Sequence, residues 1–338
     1  MQSTASPSPS PPPRRIVILG TGGTIAGQAP RTDDALGYRA GAVGVRALVD
    51  AVPALAGWPL ACEQVAQVDS KDMGFALWQQ LARRVAHHLD DDSVSGVVVT
   101  HGTDTLEETA WFLHRVLAPG KPLVLTAAMR PASSLQADGP QNLLDAVTVA
   151  ATPGARGVVV AFGGAVHAAG DLRKLHSLRL EAFSNGDAGP IARIDAGVLR
   201  VFRDWPGAQA SLPPVGAVPV QSPAAPVGLA AIAADAARWP WVAVLANHAG
   251  ADGREVRALV EAGVEGLVVA GTGHGTLAEP LAAALVDAQT AGVRVRRASR
   301  CAFGPVHAAA GDVLPAAGER SPWQARVDLI LELLAAGR

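Results

Sequence analysis

Cysteine is almost missing from this 338-residue chain: Cys62 and Cys301 lie far apart, and neither belongs to a CxxC pair. That spacing speaks against a disulfide framework or a structural zinc site and permits a reducing compartment. Charge is scarce too, at 17% of residues with a net value of −2. With a pI near 6.5, the chain offers no basic surface to nucleic acid or an anionic membrane. No apolar run approaches the roughly 18 residues that a membrane span needs. There is no GxSxG elbow and no HExxH, and the nine histidines show no ligand spacing beyond the adjacent His87 and His88, expected on a solvated helix face. Serine hydrolase and zinc hydrolase readings therefore lose their usual support. The first fifteen residues are Ser/Pro-rich without an apolar segment, so they read as a disordered tail over 1–14 and not as a secretory signal. Arg14-Arg15 runs directly into the apolar Ile16–Leu19, unlike a twin-arginine signal. The expected compartment is the cytoplasm, with the periplasm as the alternative.

What the chain has is alternation. Hydrophobic residues, mostly Ala, Val and Leu, make up 49%, enough for sizeable cores, and the length favours two domains. Short apolar runs that read as strands (16–19, 97–99, 122–125, 158–162) are interleaved with helical periodicity (73–89, 106–117, 138–149). This rhythm predicts a larger N-terminal α/β domain over 15–204, built on a doubly wound, mainly parallel sheet. Residues 205–240 turn to Pro, Ala, Gly and Val without helical period and read as a linker. Beyond them, strands at 242–245, 267–270 and 293–296 alternate with helices at 255–261, 280–289 and 323–334, a smaller C-terminal α/β domain over 241–338.

Two loops stand where ligands bind in such sheets, at the carboxyl ends of strands. Gly20-Thr21-Gly22-Gly23-Thr24-Ile25-Ala26-Gly27 follows the first strand. It resembles a phosphate loop, but the dinucleotide pattern needs glycine where Ile25 stands, and the Walker spacing ends in Gln28 instead of lysine. The glycines would then let the backbone approach a small ligand, with Thr21 or Thr24 offering a hydroxyl. The second loop, His101-Gly102-Thr103-Asp104-Thr105, follows Val97-Val98-Val99, a run suited to a strand buried on both faces. Thr103 or Asp104 can cap the helix that follows, and either can also face a substrate. Tyr38, the single tyrosine, is either surface filler or a proton carrier, and Lys174 either a solvated cation or a base.

Together, Thr21-Gly22-Gly23-Thr24-Ile25-Ala26-Gly27, Asp69-Ser70-Lys71-Asp72-Met73, His101-Gly102-Thr103-Asp104-Thr105-Leu106-Glu107-Glu108-Thr109 and Ala128-Met129-Arg130-Pro131 with Ala137-Asp138-Gly139-Pro140 resemble the bacterial L-asparaginase family of the type II kind, the asparaginase/glutaminases. Weaker matches continue through Gly271-Thr272-Gly273-His274-Gly275 and Pro322-Trp323-Gln324-Ala325-Arg326.

The resemblance implies an amidohydrolase converting L-asparagine to L-aspartate and ammonia, with no metal or organic cofactor expected. Thr24 would be the nucleophile with Tyr38 as its hydroxyl partner, and Thr103 a second catalytic threonine backed by Lys174 and Asp104. Ser70 would hold the substrate α-carboxylate, Asp104 its α-ammonium, and the Ala128 backbone would lie near the side-chain amide. Gly23, Lys71 and His274 complete the implied binding set, His274 from the C-terminal domain of a neighbouring subunit in a tetramer built as a dimer of dimers. The roles suit the chemistry, because a primary amide needs an activated hydroxyl, donors for the developing oxyanion and a proton for departing ammonia. The chain departs from the family pattern where His274 replaces the usual asparagine, where Lys71 replaces a common glutamine, and after Cys301, where no carboxylate match is found. A glutaminase-asparaginase of broader specificity, or a non-catalytic amino-acid sensor, remain the alternatives.

Overall fold

The computed structural model describes residues 14–34, 37–207 and 226–337. The expected tail, apart from Arg14, and the 208–225 part of the expected linker lie outside them.

The chain runs β1 (Arg15–Gly22), α1 (Val45–Asp50), β2 (Leu60–Val68), α2 (Phe75–Leu89), β3 (Val94–Thr100), α3 (Leu106–Leu117), β4 (Pro122–Thr126), α4 (Gly139–Ala151) and β5 (Gly157–Phe162). Four short strands follow, β6 (Ala165–Ala168), β7 (Arg173–Lys174), β8 (Phe183–Ser184) and β9 (Ala192–Asp195), and then β10 (Val198–Val201). The main sheet has the order β10-β9-β6-β5-β4-β3-β1-β2. Strands β1 to β5 are parallel, whereas β6, β9 and β10 extend one edge antiparallel.

The unbroken valine run of β3 has a simple cause. Val97 and Val99 pack with Trp78, Leu81, Val85 and Phe112 from α2 and α3, while Val98 packs on the other face with Val45 and Leu48 of α1 and Leu143 and Val147 of α4. Each of these valines contributes about 1.5 kcal/mol or more of burial, so neither face tolerates a polar residue. β2 escaped the apolar-run criterion because it is an edge strand with half-exposed side chains. One of them, Glu63, meets Arg84 (2.6 Å) and His88 (2.8 Å). His88 is thereby drawn into an ion-pair cluster and is not the solvated residue expected.

The remaining elements are α5 (Gly228–Ala231), β11 (Val242–Ala246), α6 (Arg254–Glu261), β12 (Gly266–Gly271), α7 (Glu279–Thr290), β13 (Arg294–Ser299) and α8 (Pro322–Ala335). Within the stretch read as a linker, residues 226–240 carry α5, bury Ile232 completely and stack Trp239 on Phe75 at 5.1 Å. The parallel sheet β11-β12-β13 has α6 and α7 on one face and α8 on the other. Helix α8 also packs on α3, so its Val327, Leu329, Ile330 and Leu331 belong to one core with Trp111, Phe112 and Val116. Among the described residues, no helix is long and apolar enough to cross a membrane.

The α3–α8 contact carries a titratable carboxyl. Burial pushes Glu108 up to about 7, opposed by Arg326 at 3.8 Å and reinforced by Glu107. Its ordinary value is 4.5, so between these pH values the native chain holds a proton that the unfolded chain has released. Stability therefore falls as pH rises through that window, and is flat above it as far as this group is concerned. Between pH 5 and pH 8 the wild type should lose about 2–3 kcal/mol of denaturation free energy relative to Glu108→Gln, a comparison in which the other shifted groups cancel, among them Asp328, raised to about 6, and His101 and His114, each lowered to about 4. An unchanged pH slope in Glu108→Gln would contradict the assignment.

Candidate active site

In the parallel part of the sheet, of order β2-β1-β3-β4-β5, β1 stands between β2 and β3. The loops after β1, β2 and β3 therefore leave the sheet side by side, at the switch point where open α/β sheets leave a crevice. Two glycines let them touch. Gly23 has φ +79°, and a Cβ there would lie 2.3 Å from the Gly102 nitrogen. A Cβ on Gly102 would lie 2.4 Å from Ser70 Oγ. The close approach that these glycines allow is thus loop to loop, and it puts the Thr24 and Thr103 segments against each other. Thr21 adds a link, donating its hydroxyl to the Thr100 carbonyl at 2.9 Å.

Gly23→Ala tests this packing. Its φ/ψ of 79°/−175° is nearly glycine-only, and strain plus the backbone clash should cost about 2–4 kcal/mol. Turnover should fall together with the denaturation midpoint; wild-type values of both would show that the loops do not need this contact.

Each hydroxyl has one polar partner of its own. Thr24 opens a 3-10 turn and lies 2.6 Å from Tyr38 Oη. The chain returns Tyr38 to it through an antiparallel bridge between Gln28 and Arg39, and the tyrosine ring lies over Gly27, where a Cβ would come within 2.8 Å of it. Thr103 Oγ1 accepts from Lys174 Nζ at 2.9 Å, and the same ammonium meets Asp104 Oδ1 at 2.5 Å. The capping reading of Thr103 and Asp104 is corrected here: Thr105 is the N-cap of α3 and no side chain caps it. Both candidates are held across the chain by Lys174 instead. Thr24 and Thr103 are buried, whereas Asp104 keeps half its side chain in solvent.

Ser70 joins the pair. Its Oγ accepts the Asp104 backbone N–H at 3.2 Å and its carbonyl accepts the Thr105 hydroxyl at 2.8 Å. Ala128 follows β4 on a loop clamped from behind. The carboxylate of Asp138 accepts the Met129 and Arg130 N–H groups at 3.0 and 2.9 Å, and Asn142 donates to the Ala127 carbonyl at 2.9 Å. His101 is buried and neutral: burial lowers it to about 4, and Nδ1 donates to the Gly102 carbonyl at 2.7 Å.

Of the remaining implied binding residues, Lys71 lies at the exposed edge of this cluster, within reach of the Asp104 charge, and His274 stands apart. Lys71 is exposed and pairs with Asp72 and, at 3.8 Å, Asp69. His274 lies in the C-terminal domain on an exposed turn, where its Nε2 accepts the His307 N–H at 2.9 Å. None of its described bonds reaches the loops after β1 or β3.

Some supporting residues were not singled out from sequence. Asp138 and Asn142 look like ordinary helix-start residues until the clamp is seen. Glu107, buried on α3, accepts the Lys174 backbone N–H at 3.2 Å, and burial raises its carboxyl while Arg173 opposes the rise. A carboxylate inside a helix whose other residues are mostly apolar was the available signal.

The site thus offers two partnered hydroxyls, a third hydroxyl, a carboxylate and backbone groups on neighbouring loops, a set suited to acyl transfer on a small zwitterion. Comparison with known proteins agrees with that chemistry. The family model described as "Asparaginase, N-terminal" matches residues 15–206, and "Glutaminase/Asparaginase C-terminal domain" matches 241–337. The chain is 35% identical to L-asparaginase 2 of Escherichia coli (strain K12) over 326 residues, covering 94% of this chain and 88% of that one. It is 33% identical to the glutaminase-asparaginase of Pseudomonas fluorescens biotype A over 287 residues, covering 84% and 75%. The crystal structure of the probable cytoplasmic L-asparaginase from Campylobacter jejuni superimposes with a TM-score of 0.84 at 35% identity, covering 95% of both chains.

Proposed function

The chain belongs to the asparaginase/glutaminase family, and from that premise we propose that it opens the side-chain amide of L-asparagine through an ester on Thr24. It is an amidohydrolase acting on L-asparagine. The observation that carries the residue assignment is the pairing of two hydroxyls, Thr24 with Tyr38 and Thr103 with Lys174, on loops that touch at Gly23 and Gly102.

In the first step Thr24 Oγ1 bonds to the amide carbon. Tyr38 accepts the hydroxyl proton as it passes its own to the departing nitrogen, the C–N bond breaks and ammonia leaves. In the second, water adds to the ester carbonyl, the bond to Thr24 breaks, and the water's proton returns to Thr24 through Tyr38, releasing L-aspartate. Lys174 occupies a lone pair of Thr103 Oγ1, which leaves the Thr103 proton for the negative charge that builds on the reacting centre in both steps. Ser70 and Asp104 supply a hydroxyl for the substrate carboxylate and an anion for its ammonium, and the Ala128 backbone lies toward the amide.

Gly23 is assigned to the junction of the two threonine loops and Lys71 and His274 to the rim, His274 serving a neighbouring subunit of a homotetramer arranged as a dimer of dimers. Exposed Leu175, Leu178 and Leu180, just beyond Lys174, support such an apolar contact. Light scattering reads the assembly directly. The likeness to a probable cytoplasmic enzyme supports a cytoplasmic location, which cell fractionation checks.

Ammonia release from asparagine and from glutamine tests the activity. Asparagine should be the faster substrate; the likeness to a glutaminase-asparaginase supports some turnover of glutamine. Aspartate binding by calorimetry with no ammonia from either amide would overturn the proposal in favour of a sensor.

A further inference from the structure

Lys174 lies on β7, a strand of two residues paired only with the two residues of β8 and separate from the main sheet. So short a ladder cannot by itself hold a long, flexible side chain in register with Thr103. The restraint comes from elsewhere. The preceding segment is gripped by the N-terminal end of α8. Gln324 is fully buried, and its amide nitrogen donates to the Ala169 and Gly170 carbonyls at 3.0 and 3.2 Å. Arg320, its guanidinium 4.0 Å over the Trp111 ring, donates to the same Gly170 carbonyl at 3.2 Å. Arg173, adjacent to the lysine and buried, donates to the Leu172 carbonyl at 2.8 Å and to the Glu319 carbonyl at 2.7 Å. From the N-terminal domain, Glu107 takes the Lys174 N–H.

We propose that the C-terminal domain positions the active-site lysine of its own subunit, with Gln324 and Arg173 as the positioning residues acting through Lys174. The inference rests on the assignment of Lys174 to the reaction. The choice of glutamine at position 324 supports it. Gln324 completes a capping box with Ser321, its Oε1 accepting the Ser321 N–H at 3.3 Å and its own N–H meeting Ser321 Oγ at 3.1 Å. A glutamate caps a helix equally well at that place. Only glutamine also has N–H groups to give to Ala169 and Gly170. The two domains are therefore joined at the segment that sets how Lys174 meets Thr103 and Asp104, where a displacement of about 1 Å can cost as much as 10²-fold in rate.

The test is a double-mutant cycle. Gln324→Glu keeps the cap but replaces the two donors with a carboxylate oxygen facing the Ala169 and Gly170 carbonyls, and Gln324→Met, which loses the donors without adding charge, serves in its place if that variant does not fold; Arg173→Met keeps bulk and loses the guanidinium. Each should lower kcat for asparagine about ten-fold or more in the full-length enzyme. In a Lys174→Met background each should change kcat by less than about two-fold, because the group they position is gone. A full ten-fold loss repeated on top of Lys174→Met, or wild-type kcat in both single variants, would overturn the inference. If Arg173→Met does not fold, Gln324→Glu alone decides. Wild-type kcat in Lys174→Met would instead refute the role of the lysine itself, an outcome distinct from additivity.

Discussion

Thr24→Ala should lower the rate of ammonia release from asparagine by about 10⁴-fold or more while the protein stays folded. The size follows from the absence of a substitute. Thr24 Oγ1 lies 2.6 Å from Tyr38 Oη, and no other described hydroxyl shares that partner. Folding should survive, because among the described residues the substitution removes a single side-chain hydrogen bond, the one to Tyr38, with a net worth of about 1 kcal/mol. Far-UV circular dichroism and the thermal midpoint check the fold. Thr24→Ser should recover a substantial part of the rate, since it restores the hydroxyl. Activity within about ten-fold of wild type in Thr24→Ala, measured on protein free of host asparaginase, would contradict the nucleophile assignment.

Lys174→Met should cost about 10³-fold in kcat with little change, or a decrease, in KM. The asymmetry comes from the two bonds that Lys174 Nζ makes. Losing the bond to Thr103 Oγ1 at 2.9 Å removes the cation that polarises the second hydroxyl. Losing the bond to Asp104 Oδ1 at 2.5 Å leaves that carboxylate more available to the substrate ammonium. Asp104 is half exposed, so no unpaired charge is buried and the fold should hold. Thr24→Ala combined with Lys174→Met should be about as slow as Thr24→Ala alone, because groups acting on one step are not additive. A KM raised as steeply as kcat falls would make the lysine a binding residue instead.

The sequence made some of this legible and hid the rest for physical reasons. The valine run 97–99 announced a strand covered on both faces, and the alternation along the chain announced the parallel sheet. Helix 106–117 could be bounded to the residue because Leu106, Ala110, Leu113 and Leu117 repeat at helical spacing between polar residues. β2 stayed hidden because an edge strand has no run of buried side chains, and β6, β9 and β10 are too short and mixed to show a period. At the site, the residue types could be named from motifs, but their partners could not. That Lys174 bonds Thr103 and Asp104 depends on a contact across about 70 residues of chain. The capping reading of Thr103 failed for the same reason: local spacing offered a cap, and a distant cation took the side chain. Gln324 shows the limit most clearly, since its sequence neighbours reveal a capping box but not the carbonyls of 169 and 170 that its other end serves.

The most direct test of the central claim is to trap the ester. Wild-type, Lys174→Met and Thr103→Ala protein, the two variants slowed in both steps, are quenched in acid at successive times during turnover of asparagine, digested and sequenced by mass spectrometry. The account predicts a β-aspartyl group on the hydroxyl of Thr24, removed by mild base and missing when Thr24→Ala is added. The same group found on Thr103, Ser70 or any other side chain, with Thr24 unmodified, would contradict it.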